Sequence, residues 1–301
     1  MILCAGEALI DMLPREATTG GAAFAPHAGG SVFNTAIALG RLNTPVQFFS
    51  GLSSDLFGDI LRAELAASHV DSSPAHIADR PTTLAFVTLT NGHASYAFYD
   101  ENTAGRMLQP ADVPETRANA VFFGGISLVV EPCATAYAAL MGRVSDTAVT
   151  MIDPNIRPSF ITDEAAYRDR LTNMFASADI IKTSDEDLEW IRGGTDASAL
   201  FEGTKVQVIL LTRGSEGVTV LTRDGTADVP AKKADVVDTV GAGDTFSAGF
   251  LADLHAAGLL TKAALPRAAM SDLTQAAAFG AKVAAITVSR AGANPPWASE
   301  L

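Results

Sequence analysis

Short apolar runs of strand length alternate along the chain with longer segments of helical periodicity. The runs cover 2–6, 46–50, 120–124, 148–153, 179–182 and 206–212, and the candidate helices lie near 31–42, 55–68, 133–145, 165–177 and 185–192. Runs this uniformly apolar are buried on both faces. Their alternation with helices predicts an α/β fold, a mostly parallel sheet between two helical layers, with ligand groups at the carboxyl ends of the strands. One segment departs from the pattern: 83–90 and 93–99 are strand-like runs flanking Asn91-Gly92, the dipeptide that best fits a type I′ hairpin. The Gly-, Thr- and Pro-containing stretch 11–24 is expected to add a strand to it, giving a small antiparallel sheet over the carboxyl-end cleft. No internal repeat, low-complexity tract or linker divides the sequence. The expectation is one domain, 1–301, with the insert at about 11–24 and 83–99.

Composition narrows the partners. With 21 basic against 34 acidic residues, a net charge of −13 and a pI near 4.7, the chain repels nucleic acid and anionic membranes, and both are excluded as partners. No basic region precedes the first apolar run, which meets acids at Glu7 and Asp11, and no later run reaches membrane-spanning length. A soluble cytoplasmic protein is expected. Cys4 and Cys133, far apart within apolar elements, read as buried free thiols.

The most specific stretch is Asp238-Thr-Val-Gly-Ala-Gly-Asp244, which runs straight into an apolar, glycine-spaced helix from Thr245. Gly241 and Gly243 permit a tight backbone on which the N–H groups of Gly241, Ala242 and Gly243 converge on one anion, and the helix dipole adds positive charge there. Asp244 is expected to be kept ionised by those donors, as a base beside a phosphate. A lone Gly-x-Gly would mean only a turn and a cap, and seven specified residues make that the weaker reading. Gly29-Gly-Ser-Val-Phe-Asn34 brings backbone close to a ligand at another helix start, where Asn34 offers a donor and acceptors; alone, it reads equally as a turn and a cap. Asp11, just past the first apolar run, can accept two hydroxyl hydrogen bonds. In Asp153-Pro-Asn-Ile-Arg157, Arg157 offers a fixed positive charge to a phosphoryl group, or else pairs with an acid such as Asp163.

These stretches, in this order and over nearly the whole chain, resemble the PfkB, or ribokinase-like, family of carbohydrate kinases. The resemblance implies a three-layer α/β/α fold whose small sheet is a lid and often a dimer interface, so a homodimer through the lid is expected. It implies Asp244 as the base that takes the proton of the attacking sugar hydroxyl, Gly241, Ala242 and Gly243 as an anion hole, and Arg157 as a partner of the transferred group. Asp11, Gly29, Gly30, Asn34, Arg106 and Asn155 are the implied sugar-side residues. Lys182-Thr-Ser-Asp-Glu-Asp187 stands where many relatives carry an Asn-x-x-Glu motif linked to magnesium and phosphate. Ser184 and Asp187 align with it, although both differ in type, and Ser184 reads with even weight as a helix N-cap. Lys182, Thr212, Gly214 and Gly217 are the implied nucleotide side. The stretch 279–293 looks like the adenine-side helix and strand, with Ala281 where relatives often have Asn. In Gly51-Leu-Ser-Ser-Asp-Leu-Phe-Gly58, Ser54 replaces a usual Gly. The implied cofactors are ATP and Mg²⁺, with a monovalent cation such as K⁺ held by backbone carbonyls beside Asp238 and Val240, as in some relatives.

Within the family, Gly6-Glu-Ala-Leu-Ile-Asp-Met-Leu-Pro14 looks most like the members that phosphorylate the 6-hydroxyl of fructose. The alternatives are a kinase of 2-keto-3-deoxygluconate or of another sugar or nucleoside. The carboxylate of ketodeoxygluconate wants Arg or Lys near the lid; here Asp100 and Glu101 follow the hairpin, and Arg106 is the available cation. A different class is a silent sugar-sensing protein on a kinase fold, against which the retained Asp244 and glycine turn argue. Neither a Gly-x-x-x-x-Gly-Lys loop, a Gly-x-Gly-x-x-Gly after a strand, nor a His-Arg-Asp loop is present.

Overall fold

The computed structural model describes residues 1–90 and 93–301. The chain opens with β1 (Ile2–Ala5), β2 (Leu9–Glu16), β3 (Ala22–Gly29) and α1 (Ser31–Arg41), then β4 (Val46–Phe49), β5 (Gly51–Ser53), α2 (Leu56–Ala67) and β6 (His76–Ala78). Next come β7 (Leu84–Thr90), β8 (His93–Tyr99), β9 (Ala120–Gly124), α3 (Cys133–Val144), β10 (Val149–Asp153), α4 (Glu164–Ser177), β11 (Ile180–Ser184) and α5 (Asp185–Arg192). The last third holds β12 (Val208–Thr212), β13 (Val218–Thr222), β14 (Gly225–Val229), α6 (Ala242–Ala256) and α7 (Met270–Val288).

Eight strands form the main sheet in the order β14-β13-β12-β11-β10-β9-β1-β4, parallel from β4 to β12 and closed at one edge by the antiparallel β13–β14 hairpin. Strand alternation sorts the apolar side chains to two faces. Ile2, Cys4, Phe48, Phe122 and Met151 pack in one layer with α1, α2, α6 and α7. Leu3, Ala5, Phe49, Phe123 and Ile152 pack in the other with α3, α4 and α5. Both cysteines are free and buried. The β13–β14 hairpin escapes sequence reading because its strands are short, and β14 is mostly exposed and polar.

A second sheet has the order β3-β2-β7-β8. The segment 11–24, expected to supply one strand, instead spans most of β2 and the start of β3: the two pair antiparallel from Leu9↔Gly29 to Glu16↔Ala22, around a turn closed by Ala17 N–H to Gly21 O at 3.0 Å. β7 and β8 pair antiparallel, but β2 and β7 between them run parallel, so the small sheet is mixed and not the antiparallel sheet expected; the Asn91-Gly92 turn lies outside the described residues. Across this sheet Asp11, Ala85 and Phe98 stand in register on one face, while Phe86 stacks edge-on with Phe24 and Tyr99 on the other, at 4.9 and 5.3 Å between centroids. The expected strand within 279–293 is absent: α7 carries Val283, Ile286 and Val288 as helix, because packing against α6 outweighs their β-branched preference.

Candidate active site

The carboxyl ends of the parallel strands and the Asp11 face of the small sheet enclose a cavity of about 300 Å³. Asp11, Gly30, Asn34, Asn155, Arg157 and the 239–244 turn all line it, so segments spread over more than 230 residues meet at one place, as the doubly wound topology requires. Gly29 packs against Asp11 so closely that a Cβ there would overlap the carboxylate.

Asp244 sits in the first turn of α6, whose N-cap, Gly241, adopts a left-handed φ of 77°. A Cβ on Gly241 would also stand 2.6 Å from that of Ala293, so both backbone and packing demand glycine. The Asp244 side chain is buried and accepts a hydrogen bond from Asn34 Nδ2 at 2.9 Å. Thr35, one residue on in α1, donates to the Asp244 carbonyl at 3.2 Å. Asn34 therefore holds the carboxylate directly. The donor to the Asp244 carboxylate is the Asn34 side chain, where helix amides were expected: burial pushes the carboxyl up to about 6, assisted by nearby Asp153, while Asn34 and Lys182 pull the other way, so that it is ionised above that pH. Within the turn, the Ala242 amide donates to the Thr239 carbonyl at 3.3 Å. Asp11 is likewise raised to about 6, by burial first and by the Asp244 charge second.

Behind the turn lies a buried ion pair, Lys182 Nζ to Asp153 Oδ2 at 2.6 Å. A Cβ on Gly243 would stand 3.0 Å from the Lys182 ammonium, so this cation abuts the backbone of the glycine turn. Burial lowers the Lys182 proton affinity, but Asp153, Asp187 and Asp244 together outweigh it and leave the pKa raised. Asp153 Oδ1 is buried without a hydrogen-bond partner among the described residues. Asp187 Oδ1 accepts from the Ile156 amide at 3.0 Å, and burial raises its pKa. Ser184 is the N-cap of α5, its Oγ accepting from the Asp187 amide at 3.0 Å.

Several predicted residues stand elsewhere. Arg106 turns from the cavity towards Asp100, 3.7 Å away, and donates to the Glu131 carbonyl, because the neighbouring buried carboxylate is a better partner than an open cleft. Lys182 is tied to Asp153 rather than offered to a ligand. Ala281 is buried in the core layer beneath α7 and does not line the cavity. Thr212 lies beside Ser184 in the β11–β12 register and donates to the Thr183 carbonyl at 3.4 Å. Gly214 and Gly217 make the turn that follows, outside the lining of the cavity. Arg157 reaches the cavity edge and donates to the Asn155 and Ile156 carbonyls, while Asp163 caps α4 instead of pairing with it. Asp238 accepts from the Val240 and Gly292 amides at 3.0 and 2.9 Å, tying the two turns together.

The residues that escaped sequence reasoning include Glu7, Gly125 and Ile126 in the lining and Asp153 behind it. Burial raises the Glu7 carboxyl to about 7; its signal is an acid directly after a run read as buried. Asp153 and Lys182 end neighbouring buried runs, and opposite charges at matched places in two such strands point to a pair.

The pfkB family carbohydrate kinase model matches residues 1–300 of this chain. The chain is 53% identical over 269 residues to a fructokinase of Rhizobium leguminosarum bv. trifolii, covering 87% of this chain and 82% of that protein. It is similar to the crystal structure of a Xylella fastidiosa fructokinase with bound ATP, with a TM-score of 0.90 and 30% identity over 97% of this chain and 93% of that one. The Salmonella enterica aminoimidazole riboside kinase, complexed with its riboside and an ATP analog, has a TM-score of 0.84 at 23% identity, covering 97% and 94% of the two chains, a likeness of fold alone. The fold is thus ribokinase-like, and the chain belongs to the pfkB family of carbohydrate kinases.

Proposed function

We propose that this protein is a fructokinase, transferring the γ-phosphoryl group of ATP to the 6-hydroxyl of fructose. The observation that carries the reading is Asp244, buried beside the glycine turn in a cavity that also presents Asp11, Asn34 and Asn155. In this reading Asp11 and Asn155 bind sugar hydroxyls and Gly29 and Gly30 bring backbone against the ring. Asn34 aims the Asp244 carboxylate at the attacking hydroxyl. The amides of Gly241, Ala242 and Gly243 stabilise the equatorial oxygens of the transferring group, with Lys182 adding charge behind them and Arg157 at the edge. The chain then works as one kinase domain whose four-stranded sheet is the lid. The 53% identity to a fructokinase supports the choice of sugar. The cavity's acids and the turning of Arg106 towards Asp100 disfavour ketodeoxygluconate, whose carboxylate would compete for Arg157 at the cavity edge, which this reading gives to the phosphoryl group.

ATP is the proposed donor, its phosphates reaching the glycine turn from the side of Thr212, Gly214 and Gly217. The unpartnered Asp153 Oδ1 and the neighbouring Asp187 fit Mg²⁺ held through water, and no cluster of three acidic, His or Cys ligands occurs among the described residues, which suits an ion that keeps its hydration. Mg²⁺, when bound, neutralises phosphate charge. A monovalent cation on backbone carbonyls of the turns tied by Asp238 completes the proposal. One assay tests these together: ADP release with fructose, ribose, ketodeoxygluconate and nucleosides, repeated with a magnesium chelator and with K⁺ replaced by tetramethylammonium. Fructose is expected to give the highest kcat/KM, and both exchanges to suppress it. Faster turnover of an acidic acceptor would overturn the choice of sugar, and rates indifferent to either exchange would remove that ion.

The outward face of the lid carries Phe24 and Tyr99 at 44% and 62% exposure, stacked on Phe86. Apolar rings left this wet support a homodimer through paired lids, in a cytoplasmic setting that the reduced thiols suit. Light scattering is expected to give twice the 31.2 kDa chain mass; a monomer at micromolar concentration contradicts the pairing.

A further inference from the structure

The acceptor end of the cavity is made by two turns from distant parts of the chain. One is Gly29-Gly30-Ser31 at the start of α1, and the other is Gly124-Gly125-Ile126 after β9. Glu7, after β1, lies between them: Oε1 accepts from the Ser31 amide at 2.9 Å and Oε2 from the Ser127 amide at 3.3 Å. The N-cap of α1, Gly30, supplies no side-chain cap, so a carboxylate from 24 residues away takes an orphan donor of the helix start and faces the positive end of its dipole. Both turns are shaped around this side chain. Gly30 and Gly125 have φ of 110° and 64°; a Cβ on Gly30 would stand 2.9 Å from the Glu7 carbonyl oxygen, and one on Gly125 would overlap Oε1.

We propose that Glu7 is the positioning residue of the acceptor site, a strut that fixes the spacing between the α1 and Gly125 turns and so sets affinity for the sugar. The inference rests on the kinase reading above. It gives Glu7 a task separate from the chemistry, because its carboxylate spends both oxygens on backbone amides while Asp244 is held by Asn34. Glutamine at this position keeps the shape but has one acceptor oxygen, so one of the two amides must face an NH₂ group. A buried hydrogen bond is then lost and a donor is left unsatisfied.

The test is steady-state kinetics of wild type, Glu7→Gln and Gly125→Ala side by side, varying sugar and ATP separately, with the sugar the wild type uses best. Glu7→Gln is expected to raise the KM for the sugar by at least about tenfold, leaving the KM for ATP and kcat within about twofold. Gly125→Ala, which displaces the carboxylate from the opposite side, is expected to reproduce that selective loss and keeps the proposal testable if Glu7→Gln does not fold. A wild-type sugar KM in the folded variants, even with a lowered Tm, overturns the proposal, as does an equal rise in both KM values. Failure of the wild type to phosphorylate fructose would instead strike the choice of sugar and leave the comparison of variants intact.

Discussion

Asp244→Asn is expected to lower kcat by about 10²–10⁴, the usual worth of a positioned base, while the calorimetric Kd for fructose stays close to that of wild type. Asparagine keeps the shape of the side chain and its contact with Asn34, but it cannot accept the hydroxyl proton. The wild-type carboxyl, raised to about 6, must be ionised to act. The kcat/KM for fructose should therefore fall on the acid side of an apparent pKa near 6, a value shared with Asp11 at about 6 and Glu7 at about 7. The same shift fixes the sign of a stability effect. A carboxyl raised above its unfolded pKa favours the fold at pH below the unfolded value, and that contribution is lost as pH rises through about 6. At pH 8 the ionised, buried Asp244 costs about 2–3 kcal/mol relative to a neutral group. The variant should thus gain Tm at pH 8, with the gain shrinking towards pH 5. A variant that keeps more than about a tenth of wild-type kcat would mean that Asp244 is no base.

Lys182→Met is expected to cost about 3–5 kcal/mol of unfolding free energy, because it leaves the fully buried Asp153 carboxylate without its 2.6 Å partner. Against the 5–15 kcal/mol of an ordinary domain this is a large fraction. Chemical denaturation measures it, and the double variant Lys182→Met with Asp153→Leu should recover most of the loss, since it removes both charges. Activity should not follow stability. Lys182 lowers the Asp244 pKa and abuts Gly243, so Lys182→Met should move the acid limb of kcat/KM upward and lower kcat, whereas the double variant, which also loses the Asp153 charge that raises the Asp244 pKa, should keep the low kcat without the upward shift. A limb that stays in place in Lys182→Met, with kcat restored in the double variant, would reduce Lys182 to a structural ion pair.

The alternation of apolar runs with helices made the parallel core legible, because strands buried on both faces leave a continuous apolar signature. It did not reveal β14, whose exposed positions carry no such signature, or the continuation of α7, where packing overrides β-branched preference. Asp244 and the glycine turn were legible because their spacing is local; Asp11 was legible as an acid past the first apolar run, although it stands within β2 of the small sheet and not at a strand end. Glu7, Asp153 and the turning of Arg106 were not, because each depends on a partner brought close only by the fold: Ser31 and Ser127, Lys182, and Asp100. What sets the Asp244 pKa was not legible for a related reason. A helix start is visible in sequence, whereas the depth of burial that dominates the carboxyl is a property of the assembled cavity.

The measurement that bears most directly on the account is ³¹P and ¹³C NMR of the product formed by the purified protein from ATP and fructose. The account predicts phosphorus on the 6-oxygen of fructose, formed together with an equal amount of ADP, and about a hundredth as much or less in Asp244→Asn over the same time. Fructose 1-phosphate, ADP with only inorganic phosphate, or no product with fructose alongside turnover of another acceptor would contradict it.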